Sequence, residues 1–214
     1  MQAYLPRWSP DGKQIAFLGH PPSEPWQIYV VPAEGGAPEL IYRSQTNLAD
    51  PSWSPDGKSL AFGENSLNNQ GSAVYVLDLK MRNAWKLPWS DGLFSPRWSP
   101  NGQHIAAISL DSLKLMLFDF TTQKWTELAK IFVAYPTWSR DGRYLYFNGI
   151  LDNQEGYFRL RVSDRKLERL LSLKGFQAAG GAFGTWTGLS PDESPLFVRD
   201  ASVQEIYALD WQAR

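Results

Sequence analysis

The chain has 214 residues, 43% apolar and 14% aromatic, with 10 Trp beside 17 Gly and 15 Pro. This apolar share excludes a disordered chain, and many aromatics with many turn formers favour short strands over helices. Lys and Arg number 21 against 22 Asp and Glu, a net charge of −1 without the positive excess that nucleic acid requires, and zero Cys excludes disulfides, thiolate metal sites and a cysteine nucleophile.

Met1–Arg7 carries no basic stretch followed by an apolar one, so no secretion signal is read there. The expectation is a cytoplasmic chain or one that begins inside a longer protein. No apolar run approaches the roughly 18 residues that span a bilayer, so no membrane contact is expected of this segment. From residue 6 onward one pattern dominates. PRWSPDGKQIAF (6–17) returns as PSWSPDGKSLAF (51–62), PRWSPNGQHIAA (96–107) and PTWSRDGRYLYF (136–147), then in worn form as GLSPDESPLFV (188–198). The repeated tryptophans stand at 8, 53, 98 and 138, with Leu189 in the fifth slot. A period of about 40–45 residues is that of one four-stranded propeller blade. The chain therefore reads as one all-β domain, 1–214, a β-propeller of five four-stranded blades. The repeats run approximately 3–43, 48–88, 93–130, 133–173 and 185–214.

In each unit Pro-x-Trp-Ser predicts the first strand and Pro-Asp-Gly its exit turn, because Pro presets φ and Gly takes the left-handed position. Ile15–Phe17 and its counterparts predict the second strand. The third is read at Gln27–Val31, Ala73–Leu77, Leu115–Phe118, Gly156–Leu160 and Glu205–Leu209. Turns such as 33–36 and 121–124 lead into a fourth, as at Pro38–Tyr42 and Trp125–Ala129. Asp164–Leu173 has a weak helical period, yet it falls where the other units place a turn and fourth strand. The fifth unit stops after its third strand and lacks an outer one. The edge Glu205–Leu209 would then invite pairing with another chain, so this piece is expected either to form a homodimer through it or to be less stable than one extended at its N-terminus. Five blades could close a ring or be part of a larger propeller, and the sequence leaves both open.

The repeated tryptophans are expected to pack between blades, where their large apolar area is best used. Asp11, Asp56 and Asp141 each offer one carboxylate per turn, whereas a calcium loop needs several at alternating positions, so they are read as turn formers. His20 and His104 do not make a metal set, and the Gly-x-Ser-x-Gly elbow of hydrolases is absent. No metal, no cofactor and no enzymatic activity are expected.

Loops joining second to third strands should share one face with the connections between units. The former are read at Leu18–Trp26, Gly63–Ser72, Ser109–Ser112, Asn148–Gly156 and Arg199–Val203; the latter at Ser44–Asp50, Ser90–Ser95, Ile131–Tyr135 and Lys174–Thr185. Variable loops on a rigid scaffold are where binding resides. The candidate binding residues there are His20, Glu24, Trp26, Glu64, Asp91, Phe94, Tyr135, Asp152, Phe176 and Arg199, with Trp89 a further loop aromatic.

The Trp-Ser-Pro-Asp-Gly-Lys-x-Ile-Ala-Phe motif resembles the Pro-Asp type of WD-like repeat of the TolB propeller family, over essentially the whole chain. The ending SPDESPLFVRD (190–200) followed by EIYALDW (205–211) resembles the C-terminal sensor propellers of bacterial winged-helix transcriptional regulators and serine/threonine kinases. The first resemblance implies six blades, a protein or peptide partner and a periplasmic location; the second implies an effector domain upstream. The function expected is non-enzymatic protein or peptide recognition. Its alternatives are a small-molecule sensor domain and a channel-centred enzyme such as a lyase.

Overall fold

A computed structural model describes residues 1–65, 72–181 and 184–202. They divide into two compact units, Met1–Lys174 and Gly175–Arg214. Among the described residues the regular elements are all β-strands, and no helix is long and apolar enough to cross a membrane.

The first unit holds four antiparallel four-stranded meanders, here called blades 1 to 4. Blade 1 is β1 (Gln2–Trp8), β2 (Gln14–His20), β3 (Gln27–Pro32) and β4 (Glu39–Tyr42). Blade 2 is β5 (Asn47–Trp53), β6 (Ser59–Asn65), β7 (Ala73–Asp78) and β8 (Asn83–Lys86). Blade 3 is β9 (Leu93–Trp98), β10 (His104–Ser109), β11 (Lys114–Asp119) and β12 (Lys124–Lys130). Blade 4 is β13 (Phe132–Trp138), β14 (Tyr144–Leu151), β15 (Gln154–Arg161) and β16 (Leu167–Ser172).

Each first hairpin is closed by the same local knot. The Ser9 hydroxyl donates to Asp11 (2.6 Å), the Lys13 N–H donates to the same carboxylate oxygen (3.1 Å), and the Gln14 N–H donates to Ser9 Oγ (2.9 Å). Gly12, at φ 70°, takes the left-handed corner. Ser54–Asp56, Ser99–Asn101 and Ser139–Asp141 repeat the knot. The hydroxyl bond from Ser9 holds the Asp11 carboxyl below its ordinary value, as that from Ser54 does for Asp56.

Blades pack face to face through three apolar layers. Blade 1 meets blade 2 through Ala16, Leu18, Ile28, Val30, Trp53, Leu60, Phe62 and Leu77. Blade 2 meets blade 3 through Ala61, Val74, Val76, Leu87, Ile105, Ala107 and Phe118. Blade 3 meets blade 4 through Leu115, Leu117, Val133, Trp138, Leu145, Phe147 and Phe158. Close approach has a backbone cost at Gly149, where a Cβ would lie 2.9 Å from both the Phe132 carbonyl and the Phe158 ring.

The second unit is not a four-stranded blade within the described residues. It contains two strand pairs, β17 (Gly180–Gly181) with β18 (Gly184–Thr185), and β19 (Thr187–Leu189) with β20 (Pro195–Phe197). The β19–β20 hairpin keeps the blade's first turn in shortened form. Ser190 donates to Asp192, and Glu193 takes the left-handed corner at φ 65° where the intact copies have glycine. The expected third strand Glu205–Leu209 and the dimerising edge assigned to it lie outside the described residues.

Strands extend further than the motif suggested, at the loops' expense. Of the segments read as connections, most of Ile131–Tyr135 and the second half of Ser90–Ser95 are the beginnings of β13 and β9. Asn148–Gly156 shrinks to a two-residue hairpin turn at Asp152 and Asn153, with φ of 51° and 56°. Two consecutive positive φ values are what a twisted two-residue hairpin demands, and Asp and Asn tolerate them best.

Candidate binding face and axial cluster

A meander puts the second-to-third-strand loops and the blade connections at one end. There, backbone and side-chain bonds lock them together. Leu48 N–H donates to the Trp26 carbonyl (2.9 Å), and Trp26 N–H donates to Asn47 Oδ1 (3.0 Å). The buried Gln27 amide donates to the Pro25 and Ser44 carbonyls and accepts from Ser44 N–H. Gly92 N–H donates to the Ser72 carbonyl, Leu110 N–H to that of Gly92, and Val133 N–H to that of Ser112.

On this face the structure joins His20 to Trp26, whose rings stack at 4.8 Å and 15°, with Tyr4 tilted against the indole at 4.8 Å. Glu24 pairs with Arg43 at 3.5 Å in solvent, an arrangement that contributes little. Glu64 turns to its own neighbours: the hydroxyls of Ser44 (2.6 Å), Thr46 and Tyr75 all donate to it. Burial pushes the Glu64 carboxyl up, but the three hydroxyl bonds outweigh it and leave it below its ordinary value. Burial, then the bond to Glu64, pushes the Tyr75 phenol up to about 12.

Asp91 pairs with Lys86 at 2.5 Å at the surface. Phe94 is half-buried in β9 and packs against the layer between blades 3 and 4. Asp152 is exposed in its turn. Phe176 and Arg199 belong to the second unit, where Phe176 meets Phe197 edge-on at 5.7 Å and Arg199 forms a single bridge to Ala178. Trp89 is 83% exposed, although the next residue, Ser90, is wholly buried. The Ser90 hydroxyl donates to the Leu87 carbonyl (2.8 Å) and accepts from Val74 N–H (3.2 Å). Nearby, the exposed Leu110 lines an open cavity of about 430 Å³ with Gly92, Ser109, Asp111 and Lys114.

Tyr135 belongs to a cluster that the motif analysis missed. Each innermost strand carries a bulge at the residue before its proline, with Leu5, Asp50, Ser95 and Tyr135 at φ of 50°, 46°, 52° and 53°. At this bulge Asp50 of blade 2 accepts from Arg7 of blade 1 (2.8 Å) and from Arg97 of blade 3 (2.6 Å), with Ser95 adding its hydroxyl (2.5 Å). Burial alone would raise the Asp50 carboxyl, but the Arg97 and Arg7 charges and these bonds hold it at about 2. Burial pulls the Arg97 guanidinium down from its ordinary value; an arginine nonetheless stays charged at neutral pH. The available signal was one acid at a bulge position and arginine in the x slot of Pro-x-Trp in units 1 and 3. Among the described residues no group of three or more His, Asp or Glu is arranged to hold a metal.

Residues 2–186 match the family described as the TolB beta propeller domain. TolB from Acinetobacter baumannii superposes with a TM-score of 0.71 at 21% identity, over 89% of this chain and 49% of that one. The chain thus spans about half the length of that protein. A TolB-type structure from Agrobacterium tumefaciens gives 0.73 at 20% identity, over 95% of this chain and 77% of that one. The oligogalacturonate lyase of Vibrio parahaemolyticus gives 0.62 at 13% identity, over 87% and 59%. Comparison with curated proteins gives no match.

Proposed function

The chain belongs to the TolB β-propeller family, and from that premise we propose that it is a non-enzymatic scaffold that binds a protein or peptide on its loop-locked face. The observation that carries this reading is Trp89. A tryptophan 83% exposed, beside a serine that ties its loop into the core, is an aromatic anchor on a backbone already held in place. Such an anchor loses little conformational entropy on binding, and tryptophan is the residue most enriched among interface hot spots. Leu110 and Leu113, 46% and 47% exposed, add apolar contact beside the acidic Asp91 and Asp111. The engagement of Glu64 by three hydroxyls supports a structural rather than a proton-transferring role for it. We take the segment that begins at residue 185 as the start of a fifth blade, because β19 and β20 with their Ser–Asp turn repeat the first hairpin of the other four. The likeness to a lyase carries the fold and no activity.

The test is a random peptide library displayed against the full chain. Enriched peptides should lose roughly tenfold or more in affinity for Trp89→Ala, with an unchanged melting temperature. No enrichment over an unrelated propeller, or peptides indifferent to both Trp89→Ala and Trp26→Ala, would overturn the proposal.

A further inference from the structure

The innermost strands repeat one strained geometry with four different side chains. Leu5, Asp50, Ser95 and Tyr135 all sit at positive φ before a proline, while the Pro-x-Trp-Ser that follows is nearly uniform. A non-glycine residue at positive φ is strained and persists where the surroundings enforce it. Uniform strain with varied chemistry is the pattern of a scaffold that presents side chains. The blades converge here: Asp50 is reached from blades 1 and 3 at once, Ser95 donates to it, and Arg97 also donates through Nε to the Pro136 carbonyl of blade 4 (3.0 Å), whereas Leu5 packs on the layer between blades 1 and 2.

The charges at this convergence do not balance. Two guanidiniums, Arg7 and Arg97, share the single carboxylate of Asp50. Arg97 is fully engaged, through Nε to Pro136, Nη1 to Pro96 and Nη2 to Asp50, and its side chain is 10% exposed. Arg7 is not. Among the described residues its Nη2 bonds Asp50 and its Nη1 reaches only the Pro6 carbonyl at 3.4 Å, and its side chain is 23% exposed. The uncompensated positive charge is therefore localised on Arg7, with one edge of its planar fork open. An arginine fork matches a carboxylate in geometry, and one surplus charge matches one carboxylate rather than a phosphate dianion.

We propose that the bulge cluster Arg7–Asp50–Ser95–Arg97–Tyr135 is a binding subsite for a carboxylate, and that the open edge of Arg7 receives it. Resting on the peptide-scaffold reading, this names the feature recognised: a free C-terminus or an acidic side chain of the bound peptide. Asp50 and Arg97 act as positioning residues that hold Arg7 in register.

The experiment has two arms. In the first, the full chain is titrated with sodium acetate, and separately with chloride and with phosphate at matched ionic strength. NMR follows the Arg7 Nε–H and the Trp53 indole N–H, which donates to the Arg7 carbonyl (2.9 Å). Acetate should give saturable shifts that chloride does not, absent in Arg7→Gln and weakened in Arg7→Lys, which keeps the charge without the fork. Shifts identical for acetate and chloride, shifts that persist in Arg7→Gln, or tighter saturation by phosphate would overturn the proposal. In the second arm, library-selected peptides are compared as free acids, as C-terminal amides, and with Asp or Glu replaced by Asn or Gln. One of these two neutralisations should lower affinity roughly tenfold on the native chain and have no effect on Arg7→Gln, and which one does so identifies the source of the carboxylate. Peptides that bind but ignore both neutralisations would sink the subsite and leave the scaffold standing. Saturable acetate binding with no enriched peptide would sink the scaffold and leave the subsite.

Discussion

Blades 1 and 2 present matching residues on the face that looks back along the chain. Trp8, Ile15, Phe17, Tyr29 and Val31 of blade 1 occupy the same register as Trp53, Leu60, Phe62, Tyr75 and Leu77 of blade 2. Their surroundings differ. Trp53 is 8% exposed, because blade 1 walls it in and offers the Arg7 carbonyl to its indole N–H; Trp8 is 61% exposed. Leu60 and Leu77 are fully buried, while Ile15 and Val31 are half-buried. The same motif is thus a core element in one blade and a surface in another. A repeat of this kind buries its apolar face only against a neighbour, so its stability belongs to the interface more than to the unit.

The sharpest way to break that comparison is a matched pair of truncations. Trp53→Ala should cost roughly 3–5 kcal/mol, as deleting a large buried ring does, and Trp8→Ala less than about 1 kcal/mol. Equal shifts in urea midpoint would show that the two faces are covered alike. Asp50→Asn tests what lies along the inner edge of the same blades. Removing the shared carboxylate leaves Arg97 buried without its counter-charge, at a cost of about 3 kcal/mol in the same unfolding measurement. A neutral outcome would mean that the two arginines do not depend on it.

A smaller effect follows from pH. The folded Asp50 carboxyl sits at about 2 against an ordinary value of 3.8, so the folded state binds this proton less readily than the unfolded chain. Its contribution is fully present above about pH 4 and lost as pH falls towards 2, roughly 2 kcal/mol in all. The stability gap between the native chain and Asp50→Asn should therefore narrow across that window. A gap that is constant from pH 7 to 2.5 would contradict the low pKa. The smallest contrast is again between register partners. Tyr75→Phe removes a donor to Glu64 and should cost about 1 kcal/mol, whereas Tyr29→Phe, whose hydroxyl meets no carboxylate among the described residues, should be close to neutral in thermal unfolding.

What the sequence by itself determined is local. The period of the Trp-Ser-Pro-Asp-Gly motif placed the strands and first turns of four blades, because the Ser–Asp knot closes between Ser9 and Gln14 and needs nothing from elsewhere. The worn fifth copy was legible as well, down to a hairpin that keeps its serine and aspartate. Strand ends were not, since pairing with a neighbouring strand extends β13 and β14 well into segments whose composition reads as loop. Only the tertiary structure decided which tryptophans are covered, that Glu64 is held by hydroxyls from a neighbouring connection, and that Trp89 stands clear of a buried Ser90. The Asp50 cluster is the extreme case: its partners lie 43 to 47 positions away in sequence, one blade to either side. Hydrogen bonds within a turn are encoded by adjacent residues, whereas burial and charge pairing depend on which surfaces the stacked blades bring face to face.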